Sequence, residues 1–212
     1  MASDSTPVKR QRLNAEDRRQ RIIDSSKPVF MRSGLAGTRV RDLAAAAGVN
    51  EALLYHYFAS KEDLFEAAIT QPLDAAVEGT AEKAVPAFDA SGAVMRAQTE
   101  AFIYDLLKAM QQATPLLGLV LFGDHASGRR YWRERFEPAL ERIRAVARRN
   151  VAHWPHREYD PELVVDMIFG TTLFLALEDR FRGGKKRDLH IAARELCNVL
   201  FDGIAVPDPD AQ

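Results

Sequence analysis

Apolar positions recur along this chain every three or four residues, with charged or small residues between them. That is the period of helices with one buried face. In residues 15–33, Ile22, Ser26 and Phe30 fall at i, i+4 and i+8 with Ile23 beside them, and Gly34 closes the run. Pro28 lies inside it and cannot bond to the Asp24 carbonyl, so a kink or local break is expected there. Val40, Leu43, Ala44 and Ala47 mark a short second helix, with Thr38 as its expected N-cap and Gly48 as its stop. Asn50 can cap a third, whose Leu54 and Phe58 are one turn apart on the buried side. Ser60, with Asp63 three residues on, opens a fourth helix striped by Leu64, Phe65, Ala68, Ile69, Leu73 and Ala76 and bent at Pro72.

Beyond it, residues 84–91 contain Pro86, lack a clear period and are expected to form a loop. A helix follows over about 92–112, and Thr114-Pro115 has the cap-and-proline form of a new short helix that ends near Gly123. Residues 127–154 form an arginine-rich helix with Trp132, Phe136, Leu140 and Ile143 inward and a distortion at Pro138. Asp160-Pro161 repeats the cap signal before a helix carrying Leu163, Val164, Met167, Ile168, Thr171 and Leu175, which closes at Gly183-Gly184. The last helix covers about 188–202 with Leu189, Ala192, Ala193, Leu196 and Leu200, and Pro207 and Pro209 mark a tail. No stretch alternates like a strand and no repeat is visible, so the fold class is all-α.

At 212 residues with 47% hydrophobic content, the chain has enough material for one or two cored domains. Charges interrupt every apolar run short of the roughly 18 residues a membrane span needs. Residues 1–20 lack the apolar core of a secretory leader, so a cytoplasmic location is expected. The single cysteine, Cys197, excludes an internal disulfide and sits on an apolar helical stripe, where packing is its expected role. The overall charge of −1 hides an asymmetry: residues 1–61 hold 11 Lys and Arg against 6 acids, the remainder 18 against 24. The positive end is the one with the short helices.

Two short helices joined by a glycine turn form a helix-turn-helix, whose second helix enters a DNA major groove. The polar residues around it suit that use. Arg39 and Arg41 bring charge, Tyr55, His56 and Tyr57 bring donors, and Lys61 opens the next helix. Lys9, Arg10 and Arg12 make the first 14 residues a basic arm, read either as a groove-tracking segment or as a solubilising tail. Thr38, Asp42-Leu43-Ala44, Gly48-Val49, Leu54-Tyr55, Phe58, and Lys61 with Glu62 and Leu64 together resemble the TetR family of bacterial transcriptional regulators, over roughly residues 15–70. The resemblance implies a DNA-contacting set of Thr38, Arg39, Arg41, Asn50, Glu51, Ala52, Leu53, Tyr55, His56, Tyr57 and Lys61. It departs from the family at Leu53, where a small or polar residue is usual. Glu51 could accept from a cytosine and Leu53 could touch a thymine methyl; equally, Glu51 could support its helix and Leu53 pack inside.

The same resemblance implies an N-terminal three-helix head over residues 15–60 and a helical effector-binding and dimerisation body over 61–205, with 206–212 as tail. It places Phe102, Tyr104, Phe122, His125, Trp132, Phe169 and Phe174 around an effector cavity, whereas their spacing alone gives an ordinary core. The last two long helices, through Met167, Thr171, Leu175, Leu189, Ala193, Leu196 and Leu200, are expected to pair with their copies in a homodimer. Two chemical signals are weighed against these. His153, His156 and Asp160 look like metal ligands, but Pro155 keeps the histidines off one face. Asp124-His125 looks like an acid–base pair but lacks a nucleophile elbow or phosphate loop nearby. No cofactor, metal or catalytic residue is expected. The partners implied are a palindromic operator, a largely apolar or aromatic small molecule and a second copy, with no membrane. The alternatives are a regulator with a purely structural body and an all-helical enzyme using Asp124-His125.

Overall fold

The computed structural model describes residues 14–88, 93–150, 158–183 and 186–203, and among these all regular structure is helical. The chain divides into two compact units, Met1–Ala68 and Ile69–Gln212.

The first unit opens with α1 (Ala15–Gly37), whose first turn is capped by Asn14 Oδ1, accepting from the Asp17 N–H at 2.7 Å. Gly34, at φ 67° and ψ 177°, is its one non-helical residue, so the regular helix stops where the sequence places the stop. The break expected at Pro28 is absent. Pro28 and Asp24 are both exposed, so the carbonyl that Pro28 leaves free is open to water. Thr38 is likewise not the cap of α2 (Val40–Ala47); Arg39 stands there without a side-chain bond, and the Thr38 hydroxyl donates back to the Gly34 carbonyl at 2.5 Å. Gly48 ends α2 in the left-handed conformation, φ 66°, and the Val49 N–H bonds the Ala44 carbonyl at 3.0 Å.

Asn50 Oδ1 then accepts from the Leu53 N–H at 2.7 Å and starts α3 (Glu51–Tyr57). Ser60 Oγ accepts from the Asp63 N–H, and Asp63 Oδ2 accepts from the Ala59 N–H, both at 3.0 Å, which opens α4 (Lys61–Phe65). Ile22, Phe30, Leu43, Leu54, Phe58 and Leu64 are fully buried together, and Phe30 meets Phe65 edge-on at 5.1 Å. The division between the units falls inside a π-helical turn, Glu66–Thr70. Leu64 and Phe65 thus belong to the first unit, whose limit lies beyond the residue 60 expected from sequence.

The second unit is organised on α6 (Ala93–Gly123), which packs against α5 (Gln71–Phe88), α7 (His125–Tyr131), α9 (Pro161–Phe181) and α10 (Leu189–Gly203). The remaining helix, α8 (Glu137–Asn150), packs on α5 and α9. Three expectations are corrected here. First, α5 continues through Pro86 to Phe88 instead of yielding to a loop at 84, because Ala81 and Ala84 extend its buried face. Second, Thr114-Pro115 starts nothing: α6 runs through it, and the Thr114 hydroxyl donates to the Met110 carbonyl at 2.6 Å. A proline inside a helix costs about 3 kcal/mol, but burial contributes roughly 1.5–3 kcal/mol per large apolar side chain. Leu116, Leu117 and Val120 continue the stripe of Leu106, Leu107 and Met110, so burial outweighs the proline.

Third, the long arginine-rich helix is two helices joined by a second π-helical turn, Trp132–Phe136, and it starts at His125 because Asp124 Oδ2 accepts from the Ser127 N–H at 2.7 Å. Its expected end at residue 154 lies outside the described residues. Pro72 and Pro138 share a setting: each is the second residue of the α-helix after a π-helical turn. The carbonyls they crowd, on Ala68 and Glu134, lie inside those turns, and a wider turn relieves that clash. The irregularity expected at each proline therefore sits just before it. Asp160 and Asp188 cap α9 and α10. Gly183, at φ 68°, follows α9, and Gly184 lies outside the described residues.

Candidate nucleic-acid interface and body cavity

Helix α3 is held at both ends by local chemistry, the Gly48 turn with the Asn50 cap before it and Phe58 behind it. The Phe58 N–H bonds the Leu54 carbonyl at 3.0 Å and its ring is buried beneath the Arg19 guanidinium, 5.0 Å from the ring centre. Because Leu54 and Phe58 take the inner face, Glu51, Ala52, Tyr55 and His56 are exposed on the other. Leu53 and Tyr57 are half-buried, and the Tyr57 ring meets His56 edge-on at 5.2 Å. Asn50 is exposed, but its side-chain oxygen is occupied by the cap. Arg39 and Arg41 are exposed, the latter 3.6 Å from Asp42.

Thr38 stands apart from this set. It is only 3% exposed, and with its hydroxyl turned to Gly34 it supports backbone. Lys61 is joined to it: its Nζ donates to the Thr38 carbonyl at 3.1 Å, which holds the ammonium beside the start of α2. Sequence reasoning missed this link and the Arg19–Phe58 contact, since both join residues far apart in the chain. Lys9, Arg10 and Arg12 lie outside the described residues.

The body holds a small apolar cavity with an open mouth and about 20 Å³ of free space, among α5, α6, the second π turn, α8 and α9. Ala76, Ala109, Ala113 and Ala139 leave the space; Met110, Leu117, Phe136, Leu140, Ile143 and Phe169 give it walls. Of the seven residues expected around an effector, Phe169 is the one that lines it. Phe102 is buried beside a separate hollow between α5 and α6. Tyr104 stacks on His190 at 4.1 Å. Phe122 (85% exposed), Phe174 and His125 face out. Trp132, expected inward, is 40% exposed and stacks on the wall residue Phe136 at 4.7 Å. The missed residues had a signal: alanines one turn apart on α6, where a filled core would place larger side chains.

Asp124 is engaged as a cap, and donation from the Ser127 backbone and hydroxyl holds its carboxyl below the usual range, which suits an ionised cap and not a proton acceptor near neutrality. His153 and His156 lie outside the described residues. The residues expected at a dimer contact divide. Ala193 is 1% exposed and packs with Ile103, Leu107, Ala192 and Cys197, while Leu175, Leu189 and Leu196 lie against that same cluster. These pack against the core of their own chain. Leu200 lines a third hollow with Thr99 and Phe201, Thr171 is half-buried, and Met167 is exposed. The outward apolar row on α9 is instead Leu163, Met167, Phe174, Leu177 and Phe181, with Gly170 in its middle, at alternating steps of four and three. Ile191 and Val199 continue the exposed surface on α10.

Residues 22–68 match the family described as bacterial regulatory proteins, tetR family. Over 57 residues the chain is 40% identical to the HTH-type transcriptional repressor KstR2 of Rhodococcus jostii (strain RHA1), a match that covers 27% of this chain and 28% of that protein. Over 137 residues it is 28% identical to the HTH-type transcriptional regulator BetI of Paraburkholderia phymatum, covering 64% of each. Among solved structures, the ketosteroid transcriptional regulator KstR2 of Mycobacterium tuberculosis superposes with a TM-score of 0.63 at 21% identity, over 92% of this chain and 97% of that one. FadR from Bacillus subtilis in complex with stearoyl-CoA gives 0.61 at 20% identity, over 88% and 99%. At these identities the structures establish the fold.

Proposed function

We propose, from the match of residues 22–68 to the tetR family of bacterial regulatory proteins, that the chain is a member of that family and a homodimeric transcriptional repressor that leaves a near-palindromic operator when a small apolar molecule binds at the body cavity. The observation that carries the reading is α3, capped at Asn50, with Glu51, Ala52, Tyr55 and His56 presented together on its exposed side. Glu51 and Ala52 read base edges, while Tyr55, Lys61, Arg39 and Arg41 bind phosphates. The outward apolar row of α9 supports pairing of two copies, since a soluble monomer rarely leaves such a seam open. Residues up to Ala68 form the reader and those after it the effector-binding and dimerisation body. The protein acts in the cytoplasm and is not an enzyme; the use of Asp124 as a cap supports the latter.

The effector releases DNA only through its different affinity for the two states of the repressor. One structural neighbour is named for a ketosteroid and another is crystallised with stearoyl-CoA, whose acyl chain is apolar, and the walls of this cavity favour an apolar group. Selection of DNA fragments by the pure protein tests the reading. Enriched sequences should hold two inverted half-sites about one helical turn apart, roughly 34–36 Å or a multiple of it. Selection that returns no common sequence ends the proposal.

A further inference from the structure

The separate hollow between α5 and α6 holds about 190 Å³ of free space, against about 20 Å³ in the cavity that α8 and α9 help to enclose. One water needs roughly 10–15 Å³ on that measure, so a small organic molecule has room here. The two spaces share Ala76, Thr80 and Ala109, but no residue of α8 or α9 borders the larger one.

Small residues on both helices leave this space. Ala75, Ala76 and Gly79 border it from α5, and Ala109 from α6. Gly79 is the informative one. It lies inside α5, where glycine weakens a helix relative to alanine, and its φ is not positive. No close approach demands it either, since a Cβ placed on it would meet no neighbouring group within 4 Å. The effect of its missing side chain is to keep the hollow empty.

The walls differ along the hollow. Phe102 and Leu106 are buried on α6 and supply apolar surface. At one end Lys83 Nζ donates to Asp105 Oδ2 at 2.8 Å. The exposed Gln112 amide stands seven residues along α6 from Asp105, about 10 Å at the helical rise. The ion pair decides which charge a ligand can bring. A lone anion that takes Lys83 draws it from Asp105 and leaves a carboxylate without its counter-charge. A lone cation does the same to Lys83. A molecule with both charges close together compensates both partners: its carboxylate meets Lys83 and its ammonium donates to Asp105. An α-amino acid carries its two charges in that way. Its side chain then runs between the helices toward Gln112, past the alanines and Gly79 and against Phe102 and Leu106, which suits a flat apolar ring.

We propose that this hollow is a ligand site of its own, and that it takes a free amino acid with an aromatic side chain, held by Lys83 and Asp105 together. The site does not depend on what fills the smaller cavity.

Calorimetric titration of the full-length protein with L-phenylalanine, phenethylamine and hydrocinnamate separates the charges on one shared ring. Phenylalanine should bind about fivefold or more tighter than either single-charge probe, the upper size of an ion pair that water reaches. Asp105→Asn should reduce phenylalanine to the level of hydrocinnamate, and Lys83→Gln to the level of phenethylamine. Gly79→Leu grows into the open space, so it should keep or raise thermal stability and abolish binding of all three. No binding of phenylalanine up to its solubility limit, equal or tighter binding of a single-charge probe, or phenylalanine binding that survives Gly79→Leu overturns the assignment. Should Gly79→Leu fail to fold, the probe ranking and the two charge variants decide. Operator selection is a separate measurement, so the repressor reading stands or falls apart from this one.

Discussion

The two units treat their apolar faces in opposite ways. In the first, large side chains close on one another, with Phe30, Leu43, Leu54, Phe58 and Leu64 essentially inaccessible. In the second, α5, α6 and α8 present Ala76, Ala109, Ala113 and Ala139 to a shared hollow, and α9 turns a whole apolar row outward. A protein that must present one fixed helix to DNA benefits from a filled core. A protein that must accept a molecule and a second copy has to leave both places incomplete within one protomer.

The contrast can be broken most forcefully in the first unit. Phe30→Ala should cost about 3–5 kcal/mol, because an emptied aromatic site cannot collapse in a filled core. Denaturant unfolding followed by circular dichroism would measure it, and DNA binding should be lost with the fold. Ala139→Leu in the body should cost less than the roughly 1–3 kcal/mol of ordinary overpacking, since it grows into free space. A penalty as large as that would mean the hollow is not available to a ligand.

Next in size is the outward row. Met167→Arg with Phe174→Arg should give folded monomers in sedimentation runs, whereas Leu175→Arg and Leu196→Arg should destabilise the protomer itself, because they face its core. A dimer that survives the first pair of changes would place the contact elsewhere. At the proposed DNA surface, Lys61→Ala should weaken all operators alike and lower the salt slope by roughly one unit. Glu51→Ala should instead relax preference at one base pair, by about 1–3 kcal/mol in binding assays against single-base operator variants.

The smallest effect concerns Asp124. Its carboxyl lies below the ordinary value of 3.8 through donation from Ser127. The folded value is the lower one, so its contribution to α7 is complete above the unfolded value and fades as pH falls through the folded one. Limited proteolysis should show α7 opening only in that acid range, and Asp124→Ala should open it already at neutral pH.

What the sequence made legible was local. The Asn50, Ser60 and Asp160 caps each bond within three residues, and Gly48 stops a helix by its own conformation, so the reader helix and its flanks could be placed without knowing the fold. The continuity of α6 through Pro115 could not, because it is settled by helices distant in the chain. Thr38 was misplaced for a related reason: its hydroxyl turns back to the Gly34 carbonyl, and the burial that goes with this depends on the whole unit. On α10 the period revealed an apolar face but not which neighbour covers it, so residues that meet Ile103 and Leu107 were assigned to a second copy. The cavity was readable only as missing volume at alanines, a weaker signal than aromatic residues, and that is why Phe122 and Phe174 drew attention instead.

The π turn before Pro138 has a consequence for how this chain can change length. Such a turn is a one-residue insertion absorbed inside a helix, and ordinarily it can migrate as successive N–H groups exchange one carbonyl for the next. Pro138 has no N–H to exchange, so the insertion is pinned and cannot pass into α8. Deleting one residue from the turn together with Pro138→Ala should restore an uninterrupted helix without rotating Ala139, Leu140 and Ile143 off the cavity wall. In an alignment of relatives, a one-residue gap here should therefore travel with the loss of the proline.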